Sequence, residues 1–408
     1  MRPSSANKTK KLSSYNITII ICLIIAICIL VLFIGTTFDK FTSLQGTISE
    51  KVLMSKIDKE LKSIDILTYG LEESSTVKSS NQTHVPQLSE NAYVTLISGL
   101  DTNYYYRGYL YNALIMKKAL KTLGSTADFI AMIGYSDSNT EPYESDMELL
   151  RRNGIITYAL PRLLKTRHKL GFAEMALLKI TPYSFIQYKR IQFLDGDVMP
   201  TRNMDCFFNL DYNTFTIGAV SPLNSGWFLG IPDIKAYNYM KERALWRLGR
   251  DWDSSNGWKE KMPKSLTFRG GKPCTKWEFN GADMDQGLFT HYFIINHGNA
   301  ILIDTELHKA RVFTYGIINK KDEIVTMNTI LKCCDGVIPT SHFIHFTGRS
   351  KPWLNRDLGN SPGRNIVIWR TYLDSLELPT VNSSTIVRMN FKPPLGYFNA
   401  NFPKGGYH

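Results

Sequence analysis

Asp195 and Asp197 stand one residue apart with Gly196 between them, directly after the apolar residues Ile191, Phe193 and Leu194. That pattern reads as a short buried strand, Arg190 to Leu194, that turns sharply and presents two acids. Open α/β sheets bind ligands at the carboxyl ends of their strands. Two carboxylates there can share a hard divalent cation, Mn²⁺ or Mg²⁺, and Gly196 lets the backbone approach a ligand closely. An isolated Asp-x-Asp is common in surface turns, so its weight depends on partners elsewhere. His345 ends the apolar run Phe343-Ile344 and offers an imidazole nitrogen for the same cation. Gly348 permits close backbone approach, and Lys351 offers a point charge to a phosphate. Asp285 and Gln286 bring a carboxylate and an amide to a helix start, a pair able to hold sugar hydroxyls. Asn224-Ser225-Gly226 is a polar turn entering an apolar strand. Each feature has an ordinary structural reading: a packed histidine, a helix cap, a turn. Their order and conjunction carry the case.

The elements that must position these residues alternate between two periods. Strand patterns cover 92–98, 129–133, 155–159, 191–194, 216–220 and 226–230. Helical spacing covers 109–123, 146–153, 173–180, 234–248, 284–293 and 365–376. Strands alternating with helices predict an α/β fold, a mostly parallel sheet with helices on both faces. Residues 249–279 are polar and irregular, a long basic loop of the kind that is usually functional.

The chain has 408 residues and a net charge of +12. No compact Lys/Arg run marks a nucleic-acid binder, and no C-x-x-C pair has zinc spacing. The excess charge suits an anionic donor or acceptor. Ile17 to Ile34 is uncharged and follows Arg2, Lys8, Lys10 and Lys11, which predicts a single N-terminal transmembrane helix. The expected divisions are a cytosolic tail 1–16, a signal anchor 17–35, a stem 36–90, a catalytic domain 91–378 and a tail 379–408. The catalytic domain is then luminal, in the Golgi or endoplasmic reticulum, as the short span suggests. Sequons at Asn81 and Asn382 fit that placement, and the stem residues Leu53, Ile57, Leu61 and Ile64 are spaced to pair two chains as a homodimer.

Taken together, Tyr93-Val94-Thr95-Leu96, Asp195-Gly196-Asp197, Asn224-Ser225-Gly226, Asp285-Gln286-Gly287 and the run from His345 to Trp353 resemble glycosyltransferase family 8, as a membrane-anchored member. The resemblance spans about residues 92 to 375. It implies a GT-A fold, of Rossmann-like type, and retaining transfer of a hexosyl or hexuronosyl group. The donor it implies is a UDP-sugar, the cofactor Mn²⁺ or Mg²⁺, and the acceptor a glycan, lipid or protein. By the same resemblance Asp195, Asp197 and His345 are the metal ligands, and Gly348 and Lys351 contact the diphosphate. Leu96, Ser98 and Tyr105 hold the uridine, with Tyr105 stacking on the base. Lys179 places a positive charge on the donor, and Asn224, Asp285 and Gln286 take the sugar. Asp285, Gln286 and Lys179 are the candidate catalytic residues. Two departures stand out: Ser221 or Pro222 replaces an acid before Asn-Ser-Gly, and Ala282 replaces another before Asp-Gln-Gly. The alternatives are a relative that binds UDP-sugars without turnover, and a nucleotidylyltransferase. The latter lacks its Gly-rich phosphate loop here.

Overall fold

The computed structural model describes residues 88–98, 104–134, 144–160, 172–264, 266–297, 299–315, 320–347, 351–353 and 364–376. All of them belong to the unit Pro86–His408.

The first half of the sheet follows the alternating pattern. Strand β1 (Asn91–Ser98) is joined through helix α1 (Tyr104–Thr122) to β2 (Asp128–Gly134). Helix α2 (Glu144–Arg152) leads to β3 (Ile156–Leu160), and helix α3 (Phe172–Leu177) with the 3-10 turn Leu178–Ser184 leads to β4 (Arg190–Leu194). β1 pairs in parallel with both β2 and β4, and β2 with β3. This gives the order β3-β2-β1-β4, one half of a doubly wound sheet. β1 is buried along its length, as parallel strands covered on both faces must be. Tyr93 and Ile97 pack on the α1 side. Ala92, Val94 and Leu96 pack on the other.

The second half is different. β5 (Val198–Pro200), β6 (Asn213–Thr216) and β7 (Asn224–Gly230) precede helix α4 (Ile234–Leu248). Helix α5 (Asp285–Phe289) follows, then β8 (Ala300–Asp304), β9 (Lys309–Tyr315), β10 (Lys320–Thr326) and the short helix α6 (Met327–Ile330). The chain then forms β11 (Phe343–His345) and helix α7 (Arg364–Asp374). The full order is β10-β9-β8-β6-β7-β4-β1-β2-β3. β7 pairs antiparallel with β4 and β6, and β9 antiparallel with β8 and β10. Only β6–β8 is parallel in this half. The sheet is therefore mixed, a correction to the mostly parallel expectation. Short connections such as 305–308 cannot make a parallel crossover and return the chain antiparallel.

Three local expectations are also corrected. β8 to β10 have no counterpart in the sequence reading, although Ala300 to Ile303 is a continuous apolar run. β6 stops at Thr216 because Gly218 N–H turns to Ser221 O. The helix expected over 284–293 is α-helical only to Phe289 and runs on as a π-helix over Thr290–Asn296.

A two-stranded ribbon, β5 with β11, sits apart from the main sheet and pairs His345 with Val198. The Cys206–Cys334 disulfide joins the segment after β5 to the segment before β11.

The membrane expectation is overturned for the described residues, where no helix is long and apolar enough to cross a membrane. The longest of them, α1, carries Arg107, Lys117, Lys118 and Lys121. Ile17 to Ile34 and the pairing residues of the stem lie outside the described residues, as do both sequons. Among the described residues nothing supports an anchored chain, a luminal Golgi or endoplasmic-reticulum placement or a stem-paired homodimer.

Candidate metal centre

Strands β1, β4, β7 and β11 meet at the acidic turn. β4 delivers Asp195, whose N–H donates to Gly226 O of β7 at 2.9 Å. Val198 N–H closes the turn on Asp195 O, also at 2.9 Å. Gly196 packs so tightly that a Cβ there would lie 2.8 Å from the Tyr109 ring and 3.0 Å from Leu96 O. The end of β1 is therefore in contact with the turn through Leu96. β11 then brings His345 opposite Val198, and Phe346 N–H donates to Asp197 O at 2.9 Å.

The result is a compact cluster. His345 Nε2 lies 3.1 Å from Asp197 Oδ1 and 3.9 Å from Asp195 Oδ2. Asp195, Asp197 and His345 each offer a ligand atom, and these atoms lie within 4.8 Å of one another. Lys179, from the turn after α3, approaches Asp195 Oδ1 at 2.6 Å and Asp285 Oδ2 at 3.1 Å. Ser225 Oγ donates to the same Asp285 oxygen at 2.5 Å. Lys351 is buried and bonds Asp197 and the carbonyl of Phe346.

The electrostatics follow from this crowding. Burial raises the Asp195 pKa, Asp197's charge adds to it, and Lys179 and His345 oppose it, leaving a net rise. Asp197 is buried too, but the hydrogen bond and charge of His345, with Lys351, hold its carboxyl well below the usual range. Burial disfavours a charged His345, yet Asp197 and Asp195 hold the imidazole pKa above its ordinary value. Burial likewise opposes the charge on Lys179, and Asp195 with Asp285 outweigh it, so that its pKa rises.

Three carboxylates, Asp195, Asp197 and Asp285, face two ammonium groups, Lys179 and Lys351. With the His345 imidazole neutral, as a metal ligand must be, the cluster is one positive charge short, and its ligand atoms are carboxylate oxygens and one imidazole nitrogen. That set fits a divalent cation of the Mg²⁺ or Mn²⁺ type.

The remaining candidates are placed as follows. Asp285 is buried at the start of α5, and Gln286 beside it has Oε1 2.6 Å from Ser221 Oγ. Asn224 turns its side chain back to accept from Gly226 N–H at 2.8 Å. Tyr105 lies in α1, but its side chain and the whole of Gly348 fall outside the described residues. Sequence reasoning had no functional role for Ser221 or Ser225. The first registered only as a missing acid and the second as part of a turn motif.

No protein-family model matches the chain, and no curated protein matches it. Among solved structures, the glycosyltransferase GlyE of Streptococcus pneumoniae TIGR4 is similar at 14% identity and a TM-score of 0.38, over 73% of this chain and 63% of that one. An active-site mutant of LgtC is similar at 12% identity and a TM-score of 0.41, over 73% of this chain and 99% of that one. The apo structure of the bifunctional glycosyltransferase WbbM is similar at 9% identity and a TM-score of 0.42, over 76% of this chain and 53% of that one. This chain thus spans less than two thirds of GlyE and of WbbM. Similarity at this level establishes neither a family nor an activity, and the membrane-anchored family 8 membership expected from the motifs is not carried forward.

Proposed function

We propose that the chain is a divalent-cation-assisted glycosyltransferase that moves a hexosyl or hexuronosyl group from a UDP-sugar to a glycan, lipid or protein acceptor. The observation that carries the reading is the meeting of Asp195, Asp197 and His345 at one point, with two lysines set against the same acids.

Asp195, Asp197 and His345 would hold Mn²⁺ or Mg²⁺, which supplies Lewis-acid stabilisation of a departing diphosphate. Lys351 stands beside Asp197 and provides a further positive charge for the phosphates, with the backbone at Gly348. Leu96 and Ser98 at the end of β1 would form the uridine side of the site, and Tyr105 of α1 would stack on the base. Lys179 is fixed between Asp195 and Asp285, from where its charge would act on the donor. Asp285 and Gln286, held by Ser225 and Ser221, orient the sugar together with Asn224. The acceptor hydroxyl oxygen bonds to the anomeric carbon, the bond from that carbon to the diphosphate oxygen breaks, and the acceptor proton passes to the leaving phosphate. The product keeps the donor's anomeric configuration when attack and departure share one face.

A panel of UDP-sugars incubated with the full chain and Mn²⁺ tests this. One donor is expected to release UDP slowly without acceptor, and Asp197→Asn is expected to abolish that release while the fold persists. Binding of a UDP-sugar with no turnover of any donor would instead indicate a binding protein, and full activity in Asp197→Asn would reject the metal role. Lys351→Ala is expected to weaken UDP binding about tenfold, the scale of one charge-assisted contact.

A further inference from the structure

The turn between the two aspartates is held from behind by a side chain that no motif marks. Asn112 lies on α1 with no exposed surface. Its Nδ2 donates to Gly196 O and to Val198 O, each at 2.8 Å. Its Oδ1 accepts from Trp369 Nε1 on α7, again at 2.8 Å, and Trp369 is also fully buried.

A carboxamide can sit in either of two orientations that exchange its oxygen and its nitrogen. Only one of them aims two N–H groups at two carbonyls. The indole is a donor without an acceptor, so Trp369 accepts only the orientation in which Asn112 turns its oxygen toward α7. Turned over, Asn112 would set its oxygen against two carbonyl oxygens and its NH₂ against an indole N–H. All of these groups would then be buried without partners, which is costly.

The carbonyls of Gly196 and Val198 flank Asp197 on both sides, and Val198 is the residue that β11 pairs with His345. Whatever fixes these two carbonyls fixes where the Asp197 carboxylate meets the imidazole. We propose that Asn112 and Trp369 are positioning residues of the Asp195–Asp197–His345 centre: the indole sets the amide, the amide sets the turn, and the turn sets the distance between acids and imidazole. The inference rests on reading that centre as a cation site. It makes α7, remote in sequence from the acids, part of the centre.

Mn²⁺ titration of the full chain by calorimetry tests it, with hydrogen exchange over residues 194–199 measured without metal. Asn112→Asp keeps the shape but replaces the donating NH₂ by an oxygen. Trp369→Phe keeps an aromatic ring but removes the N–H, and it carries the test should Asn112→Asp not fold. Phe129→Leu, a loss in the same apolar cluster, shows what a general loss of stability does to affinity. Both test variants are expected to weaken Mn²⁺ binding at least about tenfold, as for other outer-shell partners of metal ligands. The Val198 amide should exchange faster in both, while Phe129→Leu leaves affinity and Val198 exchange unchanged. Wild-type affinity and Val198 exchange in both variants would overturn the proposal alone. A parent chain that takes up no Mn²⁺ would overturn the cation reading and the proposal with it.

Discussion

Gly226 shows how closely the residues of the centre are fitted. A Cβ at that position would lie 2.5 Å from His345 Cε1, a distance real contacts do not reach. The glycine is needed for the space it leaves to the imidazole. Gly226→Ala should push His345 away from Asp197 and weaken Mn²⁺ binding about tenfold or more, with a loss of stability of about 1–3 kcal/mol from overpacking. Calorimetric titration and urea unfolding measure the two effects separately. Unchanged affinity would mean that His345 is not a ligand.

Among the elements, the π-helical segment after α5 carries a buried histidine whose hydrogen-bond partners are not residues of the metal centre. His291 has no exposed surface, and its ring nitrogens contact the Tyr239 hydroxyl and the Asn296 amide. Burial, with smaller contributions from the charges of Arg243 and His297, pushes its pKa down to about 3 from an ordinary 6.5. The unfolded chain therefore binds a proton that the folded chain refuses, and stability falls as pH drops from 6.5 toward 3. The loss expected between pH 7 and pH 5 is about 2 kcal/mol. Urea midpoints measured across that range should show it, and His291→Gln should flatten the dependence. A profile as steep in the variant as in the parent would assign the acid sensitivity elsewhere. The ribbon of β5 and β11 is the other element that matters here. Three paired residues bring His345 to the acidic turn, too short a pairing to stand by itself in water.

At the scale of the molecule, the Cys206–Cys334 disulfide reinforces that ribbon by closing a loop of 128 residues. Loop-closure entropy gives it a stabilisation of about 3–5 kcal/mol. Cys206→Ser, or reduction, should lower the urea midpoint accordingly, with Mn²⁺ affinity falling as the His345 segment loosens. A midpoint insensitive to reductant would show that packing alone holds the two segments.

The sequence by itself determined the residue chemistry. It placed two acids after a buried strand, a histidine at the end of a short apolar one, and a carboxylate and an amide at a helix start. It also determined the alternating helices and strands of the first half, because the periods of 2 and 3.6 are local properties that side-chain burial imposes on each segment. Only the tertiary structure decided which strands pair and in which direction. β8, β9 and β10 join the sheet by contacts with distant segments, and antiparallel return depends on connection length and not on apolar pattern. The same holds for Asn112, Ser221 and Ser225, ordinary residues whose roles arise because folding sets them against the acids, amide and carbonyls of the centre. A hydrogen bond between residues far apart in the chain leaves no period or motif to read. It exists only once the burial of both groups leaves each with no other partner.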